Sequence, residues 1–318
     1  MMTIFILFLG FILLFFGGEL LVRASVSLAT KMNVSTLVIG MTIVSFATSA
    51  PELFVSLKAV FSNSGDISLG NSIGSNIANI AFVLAITAIF FKVKIAKKVL
   101  SLNYPLLLIA SLFLAFILYY FKGVSSFIGY LFVIILITYI LILINDTRDN
   151  QLNAKSEEHV VTSSKNTITY FKSISMLLLG VLLLKYGADF LVNSAMNIAD
   201  YFEVPERVIA VTIVAIGTSI PELAASIIAA YRNEDSLAIG NLIGSNVFNI
   251  FAVLGLTAII KPINMIEKAL LSFDTMWMLA ITIVFGASLY LNKKRYLYRK
   301  EGLFLFILYL LYIYLALN

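Results

Sequence analysis

The chain has 318 residues, 61% of them hydrophobic and only 12% charged, with a mean hydropathy of +1.01. A soluble domain carries about twice that charged fraction, so a soluble fold is excluded and an integral, all-α membrane protein is expected. There is no cysteine, and the single histidine, His159, lies in a polar stretch, which excludes disulfides, thiolate metal sites and His-based catalysis. The net charge of +5 sits mostly in loops, where it reports orientation, so nucleic-acid binding is not expected.

The N-terminus, Met-Met-Thr-Ile, has no basic stretch and no small-residue cleavage pattern, and reads as a first membrane helix. Apolar runs predict ten transmembrane helices, over residues 3–22, 36–61, 67–91, 99–121, 124–144, 173–192, 207–230, 236–260, 269–291 and 302–317. Spans two, three, seven and eight are the least purely apolar and hold glycines, serines, asparagines and glutamates. Loops after the odd-numbered spans hold 16 basic residues, against five on the other side. The positive-inside rule then puts both termini outside and the polar loop 146–172 in the cytoplasm. That loop divides the chain into units 1–145 and 173–318 and leaves no room for a folded regulatory domain.

Sliding the chain on itself by 170 residues aligns 17–90 with 187–260 without a gap, with 31 identities in 74 positions. "GNSIGSN" (70–76) meets "GNLIGSN" (240–246), and "ATSAPEL" (47–53) meets "GTSIPEL" (217–223). Each copy has five spans, an odd number, so the second enters the membrane upside down. Two inverted five-helix repeats with interrupted helices at matching places point to a secondary transporter with a midplane site lined by helices 2, 3, 7 and 8.

Pro51 and Pro221 each remove a backbone donor inside an apolar span, so spans two and seven should break or kink there. Carbonyls freed around 45–48 and 215–218 are tolerated in a membrane only where they line a protein-walled cavity or meet a ligand. Glu52 and Glu222 stand beside the breaks, and a charge at mid-membrane marks an ion path. With the hydroxyls of Thr48, Ser49, Thr218 and Ser219 they form an all-oxygen set suited to hard cations. Ser75, Asn79, Ser245 and Asn249 offer further oxygens from the facing helices; Asn79 and Asn249 also suit interhelical amide bonds, so a packing role stays open for them. Two bidentate carboxylates and one carbonyl from each broken helix give six oxygens, enough for Ca²⁺.

"ATSAPELFVS" with "GNSIGSNIAN", and "GTSIPELAAS" with "GNLIGSNVFN", closely resemble the two alpha repeats of sodium/calcium exchangers, in the cation/calcium antiporter superfamily, of the prokaryotic type without a regulatory domain. The alpha repeats fall at 40–90 and 210–260, and the resemblance extends over essentially the whole chain. It implies ten helices, no cofactor, and exchange of Na⁺, three at a time, for one Ca²⁺. By the family's motif, Ca²⁺ would meet the Glu52 and Glu222 carboxylates and the Thr48 and Thr218 carbonyls. Na⁺ would meet Ser49, Ser75, Ser219 and Ser245 with the carbonyls of Ser45 and Ala215. Ser45 stands where alanine is frequent, a mild departure because the main chain would bind. Potassium-dependent relatives carry aspartate where this chain has Asn249, so a potassium-independent exchanger is expected. The resemblance also makes helices one and six the moving pair of an alternating-access cycle.

The expectation is a monomer in the plasma membrane of a prokaryote, with Ca²⁺, Na⁺ and the lipid bilayer as its partners. A proton/calcium antiporter using the same glutamates stays open, and so, less favoured, does a cation channel. No nucleophile–base pair or nucleotide motif is present, so an enzyme is not expected. Asn71 and Asn241 read as residues that pack or satisfy backbone groups, Glu19 and Asp189 as structural or gating groups, and Lys185 as pairing locally with Asp189 or snorkelling to the interface.

Overall fold

The computed structural model describes residues 2–153, 169–201, 217–265, 267–291 and 295–317. In lipid every backbone polar group must be satisfied within its own segment, and the long apolar runs accordingly become helices. The first half comprises α1 (Met2–Met32), the bent pair α2 (Thr36–Thr48) and α3 (Ala50–Phe61), α4 (Gly65–Phe90), α5 (Val99–Phe121) and α6 (Ser126–Asn153). The second comprises α7 (Tyr170–Tyr201), α8 (Ile220–Tyr231), α9 (Asp235–Ile260), α10 (Leu270–Leu291) and α11 (Arg299–Leu317). The expected span 207–230 is seen from residue 217 onward; its earlier part lies outside the described residues.

Three helices run past their expected ends. Residues 23–32 contain no glycine or proline, and α1 continues until Asn33 takes a left-handed φ of 51°. α7 likewise runs beyond 173–192. The apolar part of α6 closes at Asn145, but the helix carries its polar tail on to Asn153, so the connector expected from 146 begins as helix. Residues 154–168 lie outside the described residues.

The two halves repeat each other in opposite senses. The turns between α3 and α4 and between α8 and α9 use Asn63 and Asn233, 170 positions apart, with φ of 59° and 60°. Two-residue ribbons link the halves: β1 (Val93–Lys94) pairs antiparallel with β4 (Tyr296–Leu297), and β2 (Gly123–Val124) with β3 (Ile263–Asn264). Single π turns recur at matching places, Asn79–Leu84 in α4 and Asn249–Leu254 in α9. Of the long spans, α4 and α9 are 72% and 83% buried, against 17–39% for the others, so the "GNxIGSN" helices form the centre and the rest face lipid.

The most extensive packing joins α1 to α7. They cross where Gly10 meets Gly187 and Gly17 meets Gly180, two contacts that the 170-residue shift converts into each other. A Cβ on Gly17 would stand 2.8 Å from Leu184 N and 3.0 Å from Gly180 O; one on Gly187 would stand 2.9 Å from Leu14 N and 3.0 Å from Gly10 O. Backbone-to-backbone packing of this kind needs glycine. Gly17→Ala and Gly187→Ala should each destabilise the protein by about 1–3 kcal/mol, read as a lower unfolding midpoint in detergent. Phe8→Leu, on a 61% exposed residue of the same helix, should leave the midpoint in place.

Candidate functional site

The break in span two is centred on Ser49, where α2 and α3 meet at 42°. Sequence reasoning placed it at Pro51; the proline instead occupies the first turn of α3, where its missing N–H costs nothing. Ser49 N–H still reaches the Ser45 carbonyl (2.9 Å) and Leu53 N–H the Ser49 carbonyl (3.2 Å). Because Pro51 has no N–H, the Ala47 carbonyl loses its helical donor. Pro221 sits identically in the first turn of α8, with Leu223 N–H on the Ser219 carbonyl at 3.0 Å. Glu52 and Glu222 therefore both lie in the first turn of a half-helix, where the dipole favours negative charge.

Both glutamates have zero exposure. Ser49, Ser219, Ser75, Ser245, Asn79 and Asn249 are buried around them, and Thr218 is half-buried at the second break. Ala215 lies outside the described residues. Among the described residues, most buried side-chain polar atoms without a hydrogen-bond partner gather here. They include both oxygens of Glu52 and of Glu222, the hydroxyls of Ser49 and Ser219, the whole amide of Asn79 and the Oδ1 of Asn249. Buried polar groups are otherwise nearly always paired, and a partnerless buried carboxylate is among the most costly of them. No cluster of three or more His, Cys, Asp or Glu side chains occurs among the described residues, so a cation here would meet two carboxylates and neutral oxygens.

The remaining polar groups brace the site. Ser45 Oγ donates to the Gly40 carbonyl (2.7 Å) and the Asn241 carbonyl (3.0 Å), so the hydroxyl that replaces the frequent alanine stitches α2 to α9. Thr48 Oγ1 lies 3.2 Å from Asn241 Oδ1 and 3.3 Å from Ser245 Oγ, which occupies two expected site hydroxyls with each other. Asn71 Nδ2 donates to the Glu52 carbonyl (3.1 Å) and Ser56 Oγ (3.2 Å), as expected of a backbone-satisfying residue.

Sequence reasoning passed over Asn76 and Asn246. Asn249 Nδ2 donates to Asn76 Oδ1 (3.2 Å), and Asn246 Nδ2 to the Asn76 carbonyl (3.3 Å). Ser72 Oγ donates to the Asn249 carbonyl at 2.6 Å. Packing and site roles thus coexist in Asn249, whose amide nitrogen is tied while its oxygen is unpartnered. The signal was available, since Asn76 and Asn246 are identical under the repeat. Lys185 lies over the Tyr186 ring at 5.5 Å, and no ion pair joins it to Asp189 among the described residues. Glu19, by contrast, is gripped by two arginines, Arg23 and Arg232.

Over 98% of each chain, CaxA of Alkalimonas amylolytica is 35% identical to this protein. Sodium/calcium exchanger MaX1 of Methanosarcina acetivorans is 29% identical over 97% of this chain and 96% of its own. A solved structure of the sodium-calcium exchanger NCX_Mj superposes with a TM-score of 0.81 at 29% identity, covering 98% of this chain and 97% of that one. The family described as sodium/calcium exchanger protein matches residues 2–145 and 172–318, and with nearly the whole chain accounted for in this way, the protein is a multi-pass membrane transporter that belongs to the sodium/calcium exchanger family.

Proposed function

We propose that the protein is a secondary antiporter that exchanges Na⁺ for Ca²⁺ by alternating access around the Glu52–Glu222 site. One observation carries this reading. The four carboxylate oxygens of Glu52 and Glu222, with the Ser49 and Ser219 hydroxyls, are buried at repeat-matched places without a hydrogen-bond partner among the described residues. Acceptor oxygens in that state suit hard cations. Ca²⁺ would be held by the two carboxylates and the Thr48 and Thr218 carbonyls. Na⁺ would take flanking positions formed by Ser49, Ser75, Ser219 and Ser245 with the Ser45 and Ala215 carbonyls, and Asn79 and Asn249 would complete the cage. The relatives named as sodium/calcium exchangers support the ion pair.

Three Na⁺ for one Ca²⁺ moves one net charge. With about tenfold more Na⁺ outside, three ions release about 4 kcal/mol and −100 mV adds about 2.3, enough to hold a Ca²⁺ gradient of about 10⁴–10⁵. The reading places a monomer in a prokaryotic plasma membrane with both termini outside. Repeats 1–145 and 173–318 flank the cytoplasmic segment 146–172, and the α1–α7 pair moves against the rest.

Vesicles loaded with Na⁺ should take up Ca²⁺, faster when the interior is made positive. Equal uptake driven by a pH gradient without Na⁺ would replace this reading with proton/calcium antiport. Potassium should be neither needed nor carried, because Asn249 supplies an amide and no third acid; replacing external K⁺ with choline at clamped voltage should leave exchange unchanged, and a strict K⁺ requirement would refute the point.

Glu52→Gln and Glu222→Gln keep side-chain length but remove one of two charges, and losing one partner of a buried charge set costs about 3–5 kcal/mol. Each should cut exchange by about two to four orders of magnitude. Without Ca²⁺ their thermal stability should equal or exceed that of the unmutated protein, since a neutral amide is cheaper to bury, and Ca²⁺ should no longer raise it. Near-normal exchange by either variant would move the site elsewhere.

A further inference from the structure

We infer that Glu19 and Arg232 are positioning residues for the exchange cycle: their ion pair holds one end of the α1–α7 pair against α8, so that the central site opens preferentially at the other end. The inference rests on the alternating-access reading above.

α1 lies directly on α8. A Cβ on Gly18 would stand 2.9 Å from Ile228 Cγ1 and 3.3 Å from the Ala224 carbonyl. One residue on, Glu19 is buried, and Arg232, which follows the last turn of α8, forks onto it. Arg232 Nε donates to Glu19 Oε2 at 2.9 Å and its Nη2 to Oε1, while Arg23 Nε, one turn along α1, donates to Oε1 at 2.5 Å. A bidentate guanidinium–carboxylate pair is strong and directional. Both arginines are partly in solvent, so the pair tips a balance and does not weld the helices.

The repeat lacks this device at its other end. Shifted by 170 residues, Glu19 becomes Asp189, Arg23 becomes Asn193, and Arg232 corresponds to Ser62. Asp189 is exposed and makes no ion pair among the described residues. Ser62 makes main-chain bonds to the Lys58 and Ala59 carbonyls. The packing is one-sided in the same sense: both α1 and α7 pack along α8, whereas α3, the counterpart of α8, has no comparable contact with either among the described residues. Phe54 is 71% exposed, while its repeat counterpart, Ala224, lies partly buried against Gly18.

In an inverted repeat, the states open to either side differ by exchanging the conformations of the two halves. Identical halves would populate both equally, so an ion pair present at one end biases the equilibrium by its own free energy. Under the orientation proposed above, Arg232 lies on the cytoplasmic side and the bias favours a site open to the outside.

The chain has no cysteine, so single reporters need no prior mutation. Ala224→Cys reports the α1–α8 contact beside Glu19 and Phe54→Cys the matching place in the other half, each read as the rate of modification by a membrane-impermeant thiol reagent, applied to inside-out vesicles for 224 and right-side-out vesicles for 54. Adding Glu19→Gln, or in a second set Arg232→Ser, should speed modification at 224 by about tenfold and slow it at 54. Glu19→Asp, which keeps the carboxylate, should restore much of the original ratio. A purely structural ion pair would instead lower the unfolding midpoint and make both cysteines equally or more reactive, which would overturn the inference. Reporters that respond to Na⁺ and Ca²⁺ without the ion-pair variants, but whose ratio those variants leave unchanged, would also overturn it while leaving alternating access standing. Reporters indifferent to both ions would remove the alternating-access reading itself.

Discussion

Two carboxylates buried inside a membrane protein, their oxygens without a hydrogen-bond partner among the described residues, are the constraint from which the rest of the structure follows. Their burial is unfavourable unless a cation answers it. Each glutamate stands in the first turn of a helix, which eases its charge, and in span two the bend at Ser49 leaves the Ala47 carbonyl without its helical donor. Around the pair, α4 and α9 supply a nearly fully buried wall of serines and asparagines. Nearby donors that could have satisfied the glutamates are turned elsewhere: the Ser45 hydroxyl binds α9, and the Asn71 amide binds the Glu52 main chain.

Such a site must also be reached from both sides without being open to both. The α1–α7 pair is joined to itself by reciprocal glycine contacts and meets the core mainly along α8. Strong internal packing with a narrower attachment suits a unit that moves as one body. Under the proposed cycle, the same duplication that builds the site from two inverted halves would supply two nearly equivalent states for that body. The arginines at positions 23 and 232 are one place where the halves differ.

Much of this was legible in the sequence because duplication records itself as identity at a fixed offset. Nine of the ten expected spans, the repeat and the burial of Glu52 and Glu222 followed from apolar length, the 170-residue shift and the cost of charge in lipid. What escaped depends on three-dimensional neighbours. Proline is comfortable in a first helical turn, so the bend moved back to Ser49. The π turns beginning at Asn79 and Asn249 have no reliable signature in composition. Lys185 and Asp189 have the spacing of an ion pair, yet the lysine rests on Tyr186, while Glu19 found a partner 213 positions away. The tie from Asn249 to Asn76 crosses the two repeats, so no local pattern announces it.

The central claim is that a divalent cation binds between the two glutamates. Crystals grown with Ca²⁺ and measured for its anomalous scattering would test it most directly. The account predicts one strong peak within about 2.3–2.6 Å of carboxylate oxygens from both Glu52 and Glu222. A Ca²⁺ peak that touches neither glutamate, or none at saturating Ca²⁺, would contradict it.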